Sequence, residues 1–299
     1  MTLPFNTHPG FWRAWLLAAR PKTLPVAVAP VLVGTAAAVA DEVFRSGPAL
    51  AALAGALLLQ IGANIANDYF DFKKGADTEE RVGPLRVTQA RLLTPRQVVI
   101  GMALVFGLAA LVGVYLILAG GWPVALIGVL AILAALAYTG GPYPLGYNGL
   151  GEVFVFLFFG LAAVCGTYYV QAQVLSAAVL WAALPLGALA MAVLAINNLR
   201  DIATDRASGK RTLAVRLGEP GAVKEYWSFL GMAYLVPLVA FLSGEVSVGV
   251  LLTWVSLPLA VRLGQQVAVL RGRQLNAILA RTSQLELVFA VLFGLGLVL

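Results

Sequence analysis

Two acidic, asparagine-rich clusters carry the residue types most suited to chemistry. The first comprises Asn64, Asn67, Asp68 and Asp71, followed by Asp77; the second comprises Asn197, Asn198, Asp201 and Asp205. Members three or four residues apart share one face of a helix. Two such faces meeting in a bundle would gather carboxylate and amide oxygens. Oxygen-only donors suit Mg²⁺, which usually completes its shell with water and substrate phosphates. Bases accompany each cluster: Lys73, Lys74, Arg81, Arg86 and Arg91 the first, Arg200, Arg206, Lys210, Arg211 and Arg216 the second. Among them Lys74, Arg81, Arg86, Lys210 and Arg211 are the best candidates for diphosphate binding, because their stretches are tied to the acids. Lys22 and Arg20 open the first apolar stretch and could face the same site. Acids, a metal and bases together suit the departure of a diphosphate, whose growing charge they neutralise. An allylic diphosphate would leave a carbocation that aromatic faces stabilise; Tyr138, Tyr143, Tyr147, Tyr168 and Tyr169 are available.

The competing explanation is that these are helix-end polar groups touching water. It fits poorly. A helix C-terminus carries partial negative charge, so carboxylates there are disfavoured without a compensating cation. Acids at the ends of apolar segments mark function by default, and here they recur near half the chain length apart.

The elements that must position them are membrane helices. The chain of 299 residues is 61% hydrophobic and 11% charged, with a mean hydropathy of +0.89. That composition belongs to a polytopic helical membrane protein. Nine apolar stretches are predicted to span, at 24–40, 49–67, 97–119, 121–139, 153–172, 175–197, 227–243, 246–262 and 283–299. All 20 Lys and Arg residues except Arg45 then fall on one side. The positive-inside rule makes that side cytoplasmic, together with the N-terminus. The net charge of +6 is thus topological, and no nucleic-acid partner is expected. Two charged loops, about 68–96 and 198–226, are expected to cap one integral membrane domain over 1–299. A third charged loop is expected at about 263–282. Phe11 to Ala19 reads as an amphipathic interfacial lead-in. The stretch Tyr138 to Tyr147 is rich in Gly and Pro and predicts an irregular turn. Cys165 is the only cysteine, so no intrachain disulfide forms. His8 is the only histidine, which argues against a His base, haem or a His-rich zinc site.

With these motifs in place the chain resembles the UbiA superfamily of intramembrane aromatic prenyltransferases, along essentially its whole length. The family's first motif, Asn-Asp-x-x-Asp, reads Asn67-Asp68-Tyr-Phe-Asp71. The family's further Asp commonly stands four residues on, where this chain has Gly75; Asp77 follows instead. The run from Asn67 to Asp77 with Arg81-Val-Gly-Pro84, the run Asn197-Asn-Leu-Arg-Asp201-Ile-Ala-Thr-Asp205 continuing to Gly218, and Arg20-Pro-Lys-Thr-Leu24 resemble the menaquinone-pathway branch. The resemblance implies an all-α bundle of nine transmembrane helices around a central cavity, in a bacterial cytoplasmic (inner) membrane. It implies Mg²⁺ held by Asn67, Asp68, Asp71, Asp77, Asn197, Asp201 and Asp205, with Asp68, Asp71, Asp201 and Asp205 catalytic. Asn64, Lys22, Tyr138 and Tyr143 are the candidate substrate contacts. The implied reaction joins a chain from polyprenyl diphosphate to 1,4-dihydroxy-2-naphthoate and releases diphosphate and carbon dioxide, giving demethylmenaquinone. A 4-hydroxybenzoate acceptor is the alternative within the family. A cation-coupled transporter is the alternative from another class. The Asp-Gly-x-x-Ala-Arg signature of CDP-alcohol phosphotransferases is absent.

Overall fold

The protein, seen in a computed structural model that describes residues 10–76 and 82–299, has eleven α-helices and no strand among those residues. They are α1 (Phe11–Ala19), α2 (Pro25–Ala40), α3 (Ser46–Lys73), α4 (Pro95–Gly120), α5 (Trp122–Ala137), α6 (Gly151–Val155), α7 (Ala163–Ala172), α8 (Ala177–Ala207), α9 (Leu213–Leu242), α10 (Leu257–Val269) and α11 (Leu275–Val298). A π-helical segment, Phe156–Ala162, joins α6 to α7. A 3₁₀ segment, Val248–Ser256, leads into α10.

Seven helical stretches are long and apolar enough to cross a membrane, and α1 with α2 makes an eighth as a bent pair, turned by 54°. The bend has a local cause. Arg20 is left-handed, at φ 52°, and Pro21 follows it. α1 buries Ala14 and Ala18 while exposing Phe11, Trp12 and Leu16, the pattern of a helix lying along the interface. The predicted count of nine exceeds this by α5. At 16 residues and 1.5 Å per residue, α5 is about 24 Å long, shorter than a hydrocarbon core of about 30 Å.

Burial ranks the helices. In its most apolar stretch α8 is 78% buried, against 11% for α4; α8 is therefore the centre of the bundle. It packs against α2, α6, the π segment, α9 and α11. Small residues permit such close neighbours, as is usual where lipid supplies no hydrophobic drive between helices. Gly160 of the π segment lies directly on Gly187 of α8. A Cβ on Gly187 would stand 2.6 Å from the Phe156 ring and 3.2 Å from the Gly160 Cα.

The expected loops 68–96 and 198–226 are corrected by the structure. α3 continues to Lys73 and α8 to Ala207, while α9 starts at Leu213. Both acidic clusters thus lie on the last turns of helices, and only residues 208–212 link α8 to α9. The expected loop 263–282 is likewise mostly helix, from α10 and α11. Charge suggests loops here, but the charged residues continue the helices of the preceding or following apolar runs.

Packing at the α8 crossing generates a prediction. Gly187→Val should lower the detergent thermal midpoint by several degrees, an overpacking cost of about 1–3 kcal/mol. Gly128→Ala on α5, where a Cβ would meet nothing within 4 Å, should leave the midpoint unchanged or raise it slightly. Equal midpoints for the two variants would remove the crossing as a packing constraint.

Candidate active site

The two motif helices end alike. Gly75 after α3 and Gly209 after α8 adopt φ of 66° and 76°, which glycine takes without steric cost. The Ala76 N–H donates to the Asp71 carbonyl at 3.0 Å, and the Lys210 N–H to the Asp205 carbonyl at 2.8 Å. Each is the long closing bond of a Schellman-type cap, so Asp71 and Asp205 occupy equivalent last-turn positions. Gly75 thus makes the left-handed turn at the position where the family's further Asp commonly stands.

Asp71 is the hub. Its side chain is 3% exposed and accepts three hydrogen bonds. Arg86 Nη2 donates to Oδ2 at 2.7 Å; the Tyr147 hydroxyl and Lys210 Nζ donate to Oδ1 at 2.6 and 3.3 Å. Lys210 Nζ also lies 3.6 Å from Asp205 Oδ1, so one ammonium links the last acids of both clusters. Lys210 and Lys74 sit over the Tyr147 ring at 4.6 and 4.8 Å from its centroid, within cation–π range. Lys74 also donates to the Gly141 carbonyl at 3.3 Å. Loss of hydration holds the Lys74 ammonium below the usual lysine range, against the pull of Asp71 and with the push of Lys210. Tyr147 is fixed through its backbone, since its carbonyl accepts from the Arg211 N–H at 2.7 Å.

The other acids are committed differently. Asp68 accepts the backbone N–H groups of Val87 and Thr88 at 2.9 and 3.0 Å and so anchors the segment after the first motif. Asp201 forms a fork with Arg200, Nε to Oδ1 at 2.8 Å and Nη2 to Oδ2 at 2.5 Å. Arg200 also donates to Asn197 Oδ1 and Asn276 Oδ1. Asn276 in turn donates to the Val82 carbonyl at 3.2 Å, joining α11 to the segment that Asp68 anchors. Asn67 Oδ1 accepts the Thr139 hydroxyl at 2.9 Å.

Several predicted site residues stand elsewhere. The Asn64 amide donates to the Ala19 carbonyl at 3.0 Å and to Thr23 Oγ1 at 3.4 Å; it fastens the bent pair. Lys22 and Arg211 are exposed, and Tyr143 is 63% exposed. The Tyr138 ring packs on Gly146 and Gly151. Asp77 and Arg81 lie outside the described residues. Among the described residues no three His, Cys, Asp or Glu side chains come close enough to hold a metal ion, because Arg, Lys and backbone N–H groups stand between the acids.

Sequence reasoning listed Arg200 only among the bases that accompany the second cluster, and passed over Thr139 and three buried glutamates, Glu152, Glu225 and Glu286. Each glutamate stands alone in the sequence, outside the two acidic clusters. A single acid within an apolar span is itself a signal.

A model of the UbiA prenyltransferase family matches residues 27–295. The chain belongs to that family. It is 43% identical over 279 residues to 1,4-dihydroxy-2-naphthoate octaprenyltransferase of Mycobacterium tuberculosis, covering 93% of this chain and 94% of that one. Identity is 45% over 235 residues to the protein of that name in Escherichia coli, covering 77% and 76%. A UbiA homolog from Archaeoglobus fulgidus, solved bound to GPP and Mg²⁺, superposes with a TM-score of 0.66 over 94% of this chain and 99% of that one, at 13% identity. The family member described here is thus closely related to the 1,4-dihydroxy-2-naphthoate prenyltransferases and shares the UbiA fold.

The Asp68 anchor gives a test independent of turnover. Asp68→Ala leaves two buried N–H groups without acceptors, at a cost of about 1–3 kcal/mol each. Tryptic cleavage after Arg86 and Arg91 in detergent should accelerate about tenfold or more in this variant. Arg86 and Arg91 as resistant as in the parent would show that other contacts hold the segment.

Proposed function

We propose that this protein transfers a polyprenyl group from polyprenyl diphosphate to 1,4-dihydroxy-2-naphthoate, with loss of diphosphate and carbon dioxide, giving demethylmenaquinone. The observation that carries the prenyl-transfer chemistry is the ammonium of Lys210 between Asp71 and Asp205. It brings both acidic motifs to one point, ringed by Lys74, Arg86 and Tyr147. The acceptor follows from the kinship with proteins named for that naphthoate.

The donor set fits Mg²⁺. It consists of carboxylate and amide oxygens, and a cation already stands between two of its carboxylates. Asp71, Asp205, Asp201, Asn67 and Asn197 would hold the metal, with Asp68 alongside and Asp77 beyond the described residues. Bound there, Mg²⁺ supplies positive charge that offsets the diphosphate. Lys210 and Arg86 exchange a carboxylate for diphosphate oxygens, and Lys74 approaches the same group from the end of α3. These cations stabilise the leaving oxygens as the allylic C–O bond breaks. Tyr147, whose ring already receives two ammonium groups, presents a π-face to the cationic prenyl carbon. The new C–C bond forms at the ring carbon bearing the carboxylate. Carbon dioxide then leaves, and its bonding electrons restore the aromatic ring, so no base is required to remove a ring proton.

The reading includes a topology. α5 crosses as a ninth, short span, and the N-terminus and both motif ends face the cytoplasm of a bacterial inner membrane. The segment 82–93 and the α8–α9 link cap the site.

The experiment is turnover by purified protein with Mg²⁺, a long-chain prenyl diphosphate and either 1,4-dihydroxy-2-naphthoate or 4-hydroxybenzoate, with products read by mass. A decarboxylated naphthoate product, abolished by chelation and restored by Mg²⁺, is expected. Asp205→Ala and Lys210→Ala should each lower kcat by about 10²-fold or more, the scale of losing one group that stabilises developing charge. A prenylated hydroxybenzoate alone would overturn the acceptor. Ion flux without diphosphate release would overturn the reaction.

A further inference from the structure

Arg200 is a buried cation, its side chain 1% exposed, held from three sides. Nε and Nη2 fork onto the two oxygens of Asp201, Nη2 donates also to Asn197 Oδ1 at 2.8 Å, and Nη1 donates to Asn276 Oδ1 at 2.9 Å. Asp201 and Asn197 belong to the oxygen set assigned to the metal. Asn276 does not. It stands on α11, and its own amide donates to the Val82 carbonyl at 3.2 Å. Val82 opens the segment that Asp68 anchors at Val87 and Thr88 and that carries Arg86 onto Asp71. On α8, Asp201 lies one turn before Asp205, which shares Lys210 with Asp71. The guanidinium therefore lies between the second motif and the segment that closes on the first.

A guanidinium cannot shed its charge by losing a proton. Buried, it needs an anion beside it. Here Asp201 is that anion. A metal ion on the same carboxylate would leave one negative charge between two cations. The group that arrives with negative charge to spare is the diphosphate, and a planar fork suits phosphate oxygens as well as it suits a carboxylate. We propose that Arg200 binds the diphosphate of the prenyl substrate through Nε and Nη2, and that Asn276 is the positioning residue that holds Nη1 while those bonds are exchanged; this rests on the reading of the protein as a metal-dependent prenyltransferase. Asn276 suits the task because it is neutral. It orients the guanidinium without satisfying its charge, so it does not compete with the diphosphate. Its second bond, to Val82, sets the diphosphate-binding fork and the segment bearing Arg86 on one support.

The test replaces Arg200 by Gln and, separately, Asn276 by Leu. N276L leaves the fork on Asp201 in place, and so decides the matter should R200Q fail to fold. The probe is geranyl S-thiolodiphosphate, whose C–S bond resists cleavage, bound at saturating Mg²⁺ and followed by calorimetry. Each variant should bind it about tenfold or more weakly, the worth of one hydrogen bond to a charged group. The KM for prenyl diphosphate should rise by a similar factor, and the KM for the acceptor should stay unchanged. Mn²⁺ affinity without diphosphate, read from the EPR signal of the free ion, should be unchanged or tighter in R200Q, because Asp201 is then shared with no other cation. Weaker probe binding in the variants, with a wild type that turns over no acceptor, would sink the proposed reaction and keep the role of Arg200. That role is overturned by equal probe affinity in the wild type and the folded variants, by no probe binding to the wild type, or by equal shifts in both KM values. It is also overturned if Mn²⁺ affinity falls as far as probe affinity, which would make Arg200 a prop of the metal site alone.

Discussion

The structure turns on the charge balance at Asp71. A carboxylate on the last turn of an apolar helix faces two penalties, lost hydration and the negative end of the helix dipole. Arg86, Lys210 and the Tyr147 hydroxyl offset both. Each of these partners comes from a different part of the chain. The segment after α3, the turn before α6 and the link after α8 must therefore converge on one point. Lys210 extends the constraint to Asp205, so the ends of α3 and α8 are held at one height. The depth of α8 in the bundle follows: a helix whose end must meet α3, α6 and α9 together has no lipid-facing position open to it.

The equivalence of the two halves goes beyond the acids. Gly75 and Gly209 turn the chain identically, and the closing amide bonds return to Asp71 and Asp205. Asn64 and Asn198, each two turns before those acids, serve as fasteners, one to the bent pair and the other to Glu152. What differs is the compensating charge. Asp68 is met by backbone N–H groups, Asp201 by Arg200 from its own helix, and Asp71 and Asp205 by a lysine from beyond the second cap. The ends of the two motif helices are thus alike in backbone geometry, while the groups that compensate their acids differ.

Much of this was legible in the sequence, for stated reasons. Three- and four-residue spacing identified the shared faces, and apolar runs located the spans. Helix ends were misread because charge marks contact with water and says nothing of backbone conformation; α8 stays helical through Arg206 although its apolar run stops near Asn197. Gly75 read as a missing carboxylate because a left-handed turn leaves no other trace. The backbone partners of Asp68 were invisible, since amide groups have no residue identity. Basic residues were the most ambiguous. Lys210, Arg86, Lys22 and Arg211 all satisfy the positive-inside rule, and only packing separates the first two, which meet acids, from the last two, which meet solvent.

That separation bears on how such a site can bind an anion and a metal at all. Four acids left bare would repel one another and a diphosphate, and four acids locked by arginine forks would admit neither. The arrangement lies between these limits. Asp68 and Asp201 are held by short, geometrically specific bonds to backbone and guanidinium groups. Asp71 and Asp205 share a lysine at 3.3 and 3.6 Å, longer contacts from a point charge on a flexible stem. One pair of acids is thereby held by the more specific bonds, and the other keeps a partner that is easily exchanged. An ammonium that leaves two carboxylates for phosphate oxygens moves charge from one group of anions to another and creates no unpaired ion. On the proposed reading the same lysine assembles the site before the substrate arrives and stabilises the leaving group after it does.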